Sequence, residues 1–196
     1  MVDVDGVLID GRPEDGCPWH TSVEEDLGFT SVKLHEQFFA LYWEDIVLGR
    51  AGLIGPLTAA LQKLAPGVSP ATFVSYWFER DARIVAPLLQ EISLIRSAGL
   101  RVYLATNQEH LRAAYLMEKL GLAEHVDGMF YSARLGAKKP AMEFFGKIQA
   151  AVGLSGEEML LIDDSRQNVD AALLAGWRAL HWTKHSSPNV VRSLCT

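Results

Sequence analysis

Met1-Val2-Asp3-Val4-Asp5-Gly6-Val7-Leu8 is the stretch that decides how this chain is read. Two carboxylates lie two positions apart at the end of an apolar stretch, and a glycine follows. On a strand, residues i and i+2 share a face. If the strand ends here, Asp3 and Asp5 instead project from its carboxyl edge, where open α/β sheets bind their ligands. Paired acids at such an edge suit magnesium and phosphoryl chemistry: one carboxylate can attack phosphorus while the other handles the leaving-group proton. Asp-x-Asp-Gly alone also marks ordinary turns, so the rest of the chain has to carry the argument. Only Met1 and Val2 precede Asp3, whereas central strands run about five or six residues. A very short first strand is expected, or one that starts upstream.

Composition narrows the classes. A chain of 196 residues with 49% hydrophobic and 21% charged residues has the make-up of a globular domain with a real core, with room for a small insertion. The formal net charge is -6 and no basic run stands out, which argues against nucleic acid or an anionic membrane as partner. An acidic protein can still bind phosphate where a metal ion and one or two cations reverse the local field. No apolar run approaches transmembrane length and no leader-like segment precedes Asp3, so a cytoplasmic protein is expected. Cys17 and Cys195, near opposite ends, are expected to be reduced thiols.

The chain has two textures. From about Arg101 onward, apolar strand-like runs alternate with helical ones. Strands are expected at 101–106, 128–132, 158–163 and 178–182, with helices at 110–120, 141–152 and 167–174 between them. Upstream, Pro87 opens a helix that Gly99 closes. Such alternation implies a parallel sheet covered on both faces. Residues from about Gly11 to Arg83 differ. They are rich in aromatics, show helical spacing at 35–48, 56–64 and 71–82, and contain no clear strand. They read as a small helical insertion, with the aromatics as its own core.

Three further signals fall at strand ends. Thr106-Asn107 follows the 102–105 run; hydroxyl and amide can bind phosphate oxygens, or simply cap the next helix. Lys139-Pro140 opens the 141–152 helix, and a lysine there can neutralise a phosphate or a nearby carboxylate. Asp163-Asp164 ends the 159–162 run. Adjacent acids after four apolar residues are costly unless a cation meets them, and magnesium binds through one or two carboxylates plus phosphate and water.

Taken in order, Asp3-Val4-Asp5-Gly6-Val7, Thr106-Asn107, Lys139-Pro140 and Ile162-Asp163-Asp164-Ser165, with Asn168 trailing, resemble the haloacid dehalogenase superfamily of phosphatases and phosphotransferases. The resemblance implies an α/β fold: a Rossmann-like parallel sheet core with helices on both faces and a small helical cap inserted after the first strand. Residues 1–10 and 84–196 would form the core and 11–83 the cap. It implies that Asp3 is the nucleophile, Asp5 the general acid/base, and Thr106 and Lys139 the holders of the transferring phosphoryl group. It implies Mg2+ bound by Asp3, the Asp5 main-chain carbonyl, Asp163 and Asp164, with Asp164 in direct contact and Asp163 in support. The Asp163-Asp164-x-x-x-Asn168 arrangement and short cap are similar to the sugar-phosphate phosphatase branch, including glucose-1-phosphate phosphatases. A small phosphorylated metabolite is therefore the expected partner of a monomer or homodimer. Trp19, His20, Trp43 and Arg50 are the insertion side chains best suited to contact its leaving group, with Asn107 and Lys139 on the phosphate. A phosphomutase, a dehalogenase and a non-catalytic binding domain remain as alternatives. Asp5 speaks against the dehalogenase, and the retention of six costly polar groups speaks against the binding domain.

Overall fold

Each strand of the core is four residues long, and the chain's first residues stitch them together. The computed structural model describes residues 1–194; Cys195 lies outside the described residues, and Cys17 is exposed and unbridged. Strands β1 (Tyr103–Thr106) and β2 (Gly128–Tyr131) pair in parallel, as do β3 (Leu160–Asp163) and β4 (Arg178–His181). Val2 bridges Leu104 on one side and Ile162 on the other, both in parallel. Val2 N donates to Tyr103 O at 2.9 Å and Ile162 N to Met1 O at 2.9 Å, so the N-terminal segment lies between β1 and β3. The sheet order is β2, β1, N-terminal segment, β3, β4. Among the described residues this N-terminal segment enters the sheet through the bridges at Val2.

Successive residues along the strands serve opposite faces, as a two-residue period requires. Leu104 and Ile162 join Val2, Leu88, Ile92, Ile95 and Leu116 in one buried cluster. Their neighbours Ala105 and Leu161 join Phe144, Phe145, Ile148 and Ala172 in another. Both faces are thus covered by helices, including Ala86–Ser97 on the first and Met142–Val152 on the second. This is the expected parallel α/β core.

Several boundaries move inward. β1 starts at Tyr103 rather than Arg101 because the Asp127 side chain takes the Val102 N–H at 2.7 Å, removing that donor from the ladder. Ser132 leaves the second strand to open the short helix Ser132–Leu135. The N-cap of helix His110–Ala114 is Glu109, whose carboxylate accepts from Leu111 N and Arg112 N, so neither Thr106 nor Asn107 caps it.

The regular structure between Trp19 and Arg80 is helical, with Ser31 to Val47 running on through one π turn (His35–Phe39), then Ile54–Leu64 and Pro70–Arg80. They pack around their own cluster, which contains Phe38, Leu57, Leu61, Phe73 and Trp77. The chain leaves and re-enters the sheet region side by side: Ile9 bridges Ile84 antiparallel, and Asp10 N donates to Arg83 O at 3.0 Å. Several contacts tie this helical segment to the sheet region, among them these two. Glu44 pairs with Lys138, and Gly49, at φ +71°, approaches the Ala133 carbonyl where any Cβ would collide.

Candidate active site

The sheet order reverses direction at the N-terminal segment, and an open α/β sheet forms its ligand crevice at the strand carboxyl ends beside such a point. Asp3 and Asp163 end two neighbouring strands there, linked by Asp3 N donating to Ile162 O at 2.9 Å. Lys139, from the loop before helix Met142–Val152, reaches between them. Its Nζ lies 2.9 Å from Asp3 Oδ1 and donates to Asp163 Oδ2 at 2.5 Å. All three residues are buried. Burying charges is costly unless they are paired, so each group is there because the others are.

The supporting bonds fix each member. Val4 N also donates to Asp3 Oδ1, at 2.8 Å, which leaves Oδ2 to other partners. Asp163 Oδ1 accepts from Ser165 N at 2.9 Å and Asn168 Nδ2 at 3.0 Å, so both its oxygens are engaged. Asn107, expected at the phosphate, turns its side chain to Lys139 instead: Nδ2 donates to Lys139 O at 3.0 Å, and Oδ1 accepts from Lys139 N at 2.9 Å. It holds the lysine's backbone in register. Thr106 is buried at the end of β1.

Asp3, Asp163 and Asp164 can present carboxylate oxygens within 4.8 Å of one another, a set suited to a hard divalent cation. Gly6, at φ +78°, lies under the Asp164 carboxylate where a Cβ would collide with it. The glycine of the Asp-x-Asp-Gly stretch is favoured by its left-handed backbone, and a Cβ there would also force the Asp164 carboxylate to move. Burial pushes the Asp3 carboxyl up to about 7, opposed by the positive charge of Lys139 and reinforced by the negative charge of Asp163. Burial also raises Asp164, and the neighbouring Asp163 adds to it. A site whose acids resist ionisation favours a divalent cation in place of protons. These donors fit magnesium.

Asp5 stands apart from this cluster. Its side chain is half exposed, and its Oδ2 accepts from Gln108 Nε2 at 2.6 Å. Its Oδ1 lies 3.9 Å from Nη2 of Arg112, a fully buried arginine that also contacts Asp81. Burial and the charge of Asp5 raise the Asp81 carboxyl to about 6, opposed by Arg112. Gln108, Arg112 and Asp81 were not legible from their motifs. One signal was available for Arg112: with Ala113 and Leu116 it occupies the buried stripe of its helix, where a charge demands a partner.

The four insertion residues are placed as follows. Trp19 is half-buried and stacks on Trp77 with ring centroids 5.3 Å apart, and Trp43 packs on the same ring at 5.7 Å. Both belong to the insertion's aromatic cluster. His20 is exposed with its ring edge-on to Trp19, and exposed Arg50 pairs with Asp45 at 3.3 Å.

Comparisons with known proteins bear on the family and the fold. The model of the haloacid dehalogenase-like hydrolase family matches residues 1–176. The chain is 30% identical over 117 residues to a sesquiterpene phosphatase of Aspergillus oryzae, covering 58% of this chain and 60% of that one. It therefore spans less than two thirds of that relative. It is 24% identical over 197 residues to a phosphorylated carbohydrates phosphatase of Thermotoga maritima, covering 95% and 85% of the two chains. A HAD family enzyme of Bacteroides thetaiotaomicron, solved as a magnesium complex, superposes with a TM-score of 0.79 at 18% identity over 97% and 96% of the chains. At that identity the superposition speaks for the fold alone. With the family model matching most of its length, the chain belongs to the haloacid dehalogenase-like hydrolases.

Proposed function

We propose that this protein is a magnesium-dependent phosphatase that hydrolyses a small phosphomonoester, a sugar phosphate in preference, through a phosphoryl group carried on Asp3. The observation that carries the reading is the buried Asp3–Lys139–Asp163 triad at the reversal point of the sheet, with Asp164 beside it and Asp5 half exposed in front. The names of the phosphatase relatives support the reaction class, and the Thermotoga maritima relative supports the sugar-phosphate preference.

The roles follow from what each group can do. Asp3 Oδ2, the oxygen not held by Val4 N or Lys139, attacks phosphorus, and the bond to the ester oxygen breaks. Asp5 gives its proton to that leaving oxygen. Asp5 then takes a proton from water as the water oxygen attacks the phosphoryl group, releasing inorganic phosphate and restoring Asp3. Lys139 has three N–H groups, so one remains for a phosphoryl oxygen after Asp3 and Asp163 are met. Thr106, at the end of β1, donates to another in this reading. Magnesium would be held by Asp3, Asp164 and the Asp5 main-chain carbonyl, with Asp163 in support, and would supply positive charge to the phosphoryl oxygens.

Residues 11–83 act in this reading as a cap over the core formed by 1–10 and 84–196. The independent aromatic cluster and the paired crossings at Ile9 and Ile84 support it. A small lid suits a small ester, which it can enclose while excluding water.

A panel of phosphate esters assayed with and without magnesium tests the proposal. Release of phosphate from sugar phosphates, dependent on the metal, is expected. Isomerised sugar phosphate with little free phosphate would identify a mutase, and halide release from haloacids without ester hydrolysis would reverse the assignment of Asp5. Asp5→Asn is expected to slow ester hydrolysis by roughly 10²–10⁴-fold, the usual contribution of a positioned acid/base; turnover within a few-fold of the parent would remove Asp5 from the mechanism.

Leaving-group recognition is testable at Arg50, which is exposed and pairs with Asp45. Arg50→Ala is expected to raise KM for a sugar phosphate by about two- to fivefold, the worth of one exposed charge contact, with kcat on p-nitrophenyl phosphate unchanged. An unchanged ranking across the panel places specificity elsewhere. Trp19→Ala cannot serve this purpose, because removing a ring stacked on Trp77 destabilises the aromatic cluster itself.

A further inference from the structure

Asp5 carries its own support, separate from the triad that holds Asp3. A half-exposed aspartate ordinarily samples several rotamers, and a proton donor is effective only when held toward the atom that needs the proton. Two side chains restrain this one. Gln108 donates to Oδ2 at 2.6 Å from a buried position. Its own backbone is pinned, since Gln108 O accepts from Ser132 Oγ at 3.1 Å and from Ala133 N at 3.1 Å.

Arg112 faces the other oxygen, Oδ1, at 3.9 Å. Its side chain is fully buried, and the guanidinium packs over the rings of Phe78 and Tyr115, 5.2 Å and 5.4 Å from their centroids. Nη1 donates to Phe78 O at 3.0 Å, and Nη2 to Asp81 O and, at 3.4 Å, to Asp81 Oδ2. These carbonyls close helix Pro70–Arg80, where a cation is favoured by the helix dipole and by the otherwise unpaired C=O groups. One arginine therefore touches the end of the last helix of the insertion and faces the carboxylate of Asp5.

We propose that Gln108 and Arg112 are positioning residues for Asp5, holding its carboxylate from both oxygens and tying it to the segment through which the helical insertion returns to the sheet. The inference rests on the acid/base role proposed above for Asp5. Gln108 sets the orientation by a short hydrogen bond. Arg112 places a fixed positive charge on the opposite side and makes that orientation depend on Phe78 and Asp81.

The leaving group is the probe. Phenolate, with a pKa of about 10 like tyrosine, needs a proton as it departs, and p-nitrophenolate, a much weaker base, leaves without one. First-turnover rates with phenyl phosphate and p-nitrophenyl phosphate, at saturating magnesium, are compared for the parent protein and for Gln108→Met, which keeps the length of the side chain and removes the donor. A loss of roughly 10–100-fold is expected on phenyl phosphate and less than about threefold on p-nitrophenyl phosphate. Added to Asp5→Asn, Gln108→Met is expected to change the phenyl phosphate rate by less than about twofold, because two residues acting through one step are not additive. Arg112→Lys keeps the charge but loses the fork that grips Phe78 and Asp81, and is expected to show the same split between substrates.

Equal losses on both substrates, or an undiminished loss in the Asp5→Asn background, would make Gln108 a structural residue and overturn the inference. Gln108→Asn, tested alongside and checked by thermal unfolding, gives the same discrimination if the methionine variant does not fold. If Asp5→Asn alone shows no dependence on the leaving group, the acid role of Asp5 fails and the inference with it. If Asp5→Asn shows that dependence and the Gln108 variants do not, the inference alone fails.

Discussion

Asp3→Asn is expected to lower ester hydrolysis by at least about four orders of magnitude while leaving the fold intact, and to raise the stability of the metal-free protein at the same time. The amide keeps the shape of the side chain and loses the nucleophilic charge. The stability gain follows from burial. An ordinary aspartate titrates near 3.9, whereas burial lifts Asp3 to about 7 in the fold. A group raised in this way opposes folding once ionised. The penalty is absent below the unfolded pKa, grows as pH rises between the two values, and is complete above about 7. Asparagine carries no such penalty. In chelator at pH 8 the variant should therefore melt above the parent, and the difference should vanish near pH 4. Lys139 keeps Asp163 as its partner in the variant, so no unpaired charge is created. Turnover comparable to the parent in a folded sample would end the assignment of Asp3 as nucleophile. A lower melting temperature at pH 8 would mean that the pairing with Lys139 outweighs the burial of Asp3.

The sheet was legible because a strand buried on both faces must be apolar along its whole length, and the runs before Thr106 and Asp163 are. What shortened them was tertiary: the Asp127 carboxylate occupies Val102 N, a contact across 25 positions that no local pattern reveals. The π turn at His35–Phe39 and the five-residue helix Val23–Leu27 were likewise hidden, the second because one buried residue is too few to establish a period. In the site, the residues read directly were those whose type is hard to explain otherwise, namely adjacent acids after apolar runs. Asn107 and Gln108 follow Thr106 in sequence, yet one clamps Lys139 and the other reaches Asp5, and only the path of the loop decides which does what. Arg112 depends on carbonyls 31 and 34 positions away. Sequence shows the chemistry a site can use; the partners that aim each group come from the packing.

Magnesium is expected to raise the melting temperature of the protein as well as its activity, and the same carboxylates should govern both. Asp3, Asp163 and Asp164 bring three negative charges within 4.8 Å against the single buried ammonium of Lys139. Asp163 spends both oxygens on Lys139, Ser165 and Asn168, so the free carboxylate of the acid pair is that of Asp164, over Gly6. A cation that binds the folded state alone stabilises it by about 2.7 kcal/mol at a hundred times its Kd, which corresponds to about 5–11 °C in a chain of this length. Because protons compete for Asp3, raised to about 7, and for Asp164, also raised, the apparent affinity should weaken as pH falls below 7, and binding should release protons. Calcium, which accepts more ligands in a looser geometry, is expected to stabilise the fold without supporting turnover. Chelator should abolish ester hydrolysis, and Asp164→Asn should lose both the magnesium-dependent rise in Tm and the activity. Full activity in excess chelator would reject a metal-dependent reaction. A magnesium-dependent rise that persists undiminished in Asp164→Asn would move the ion away from these three carboxylates.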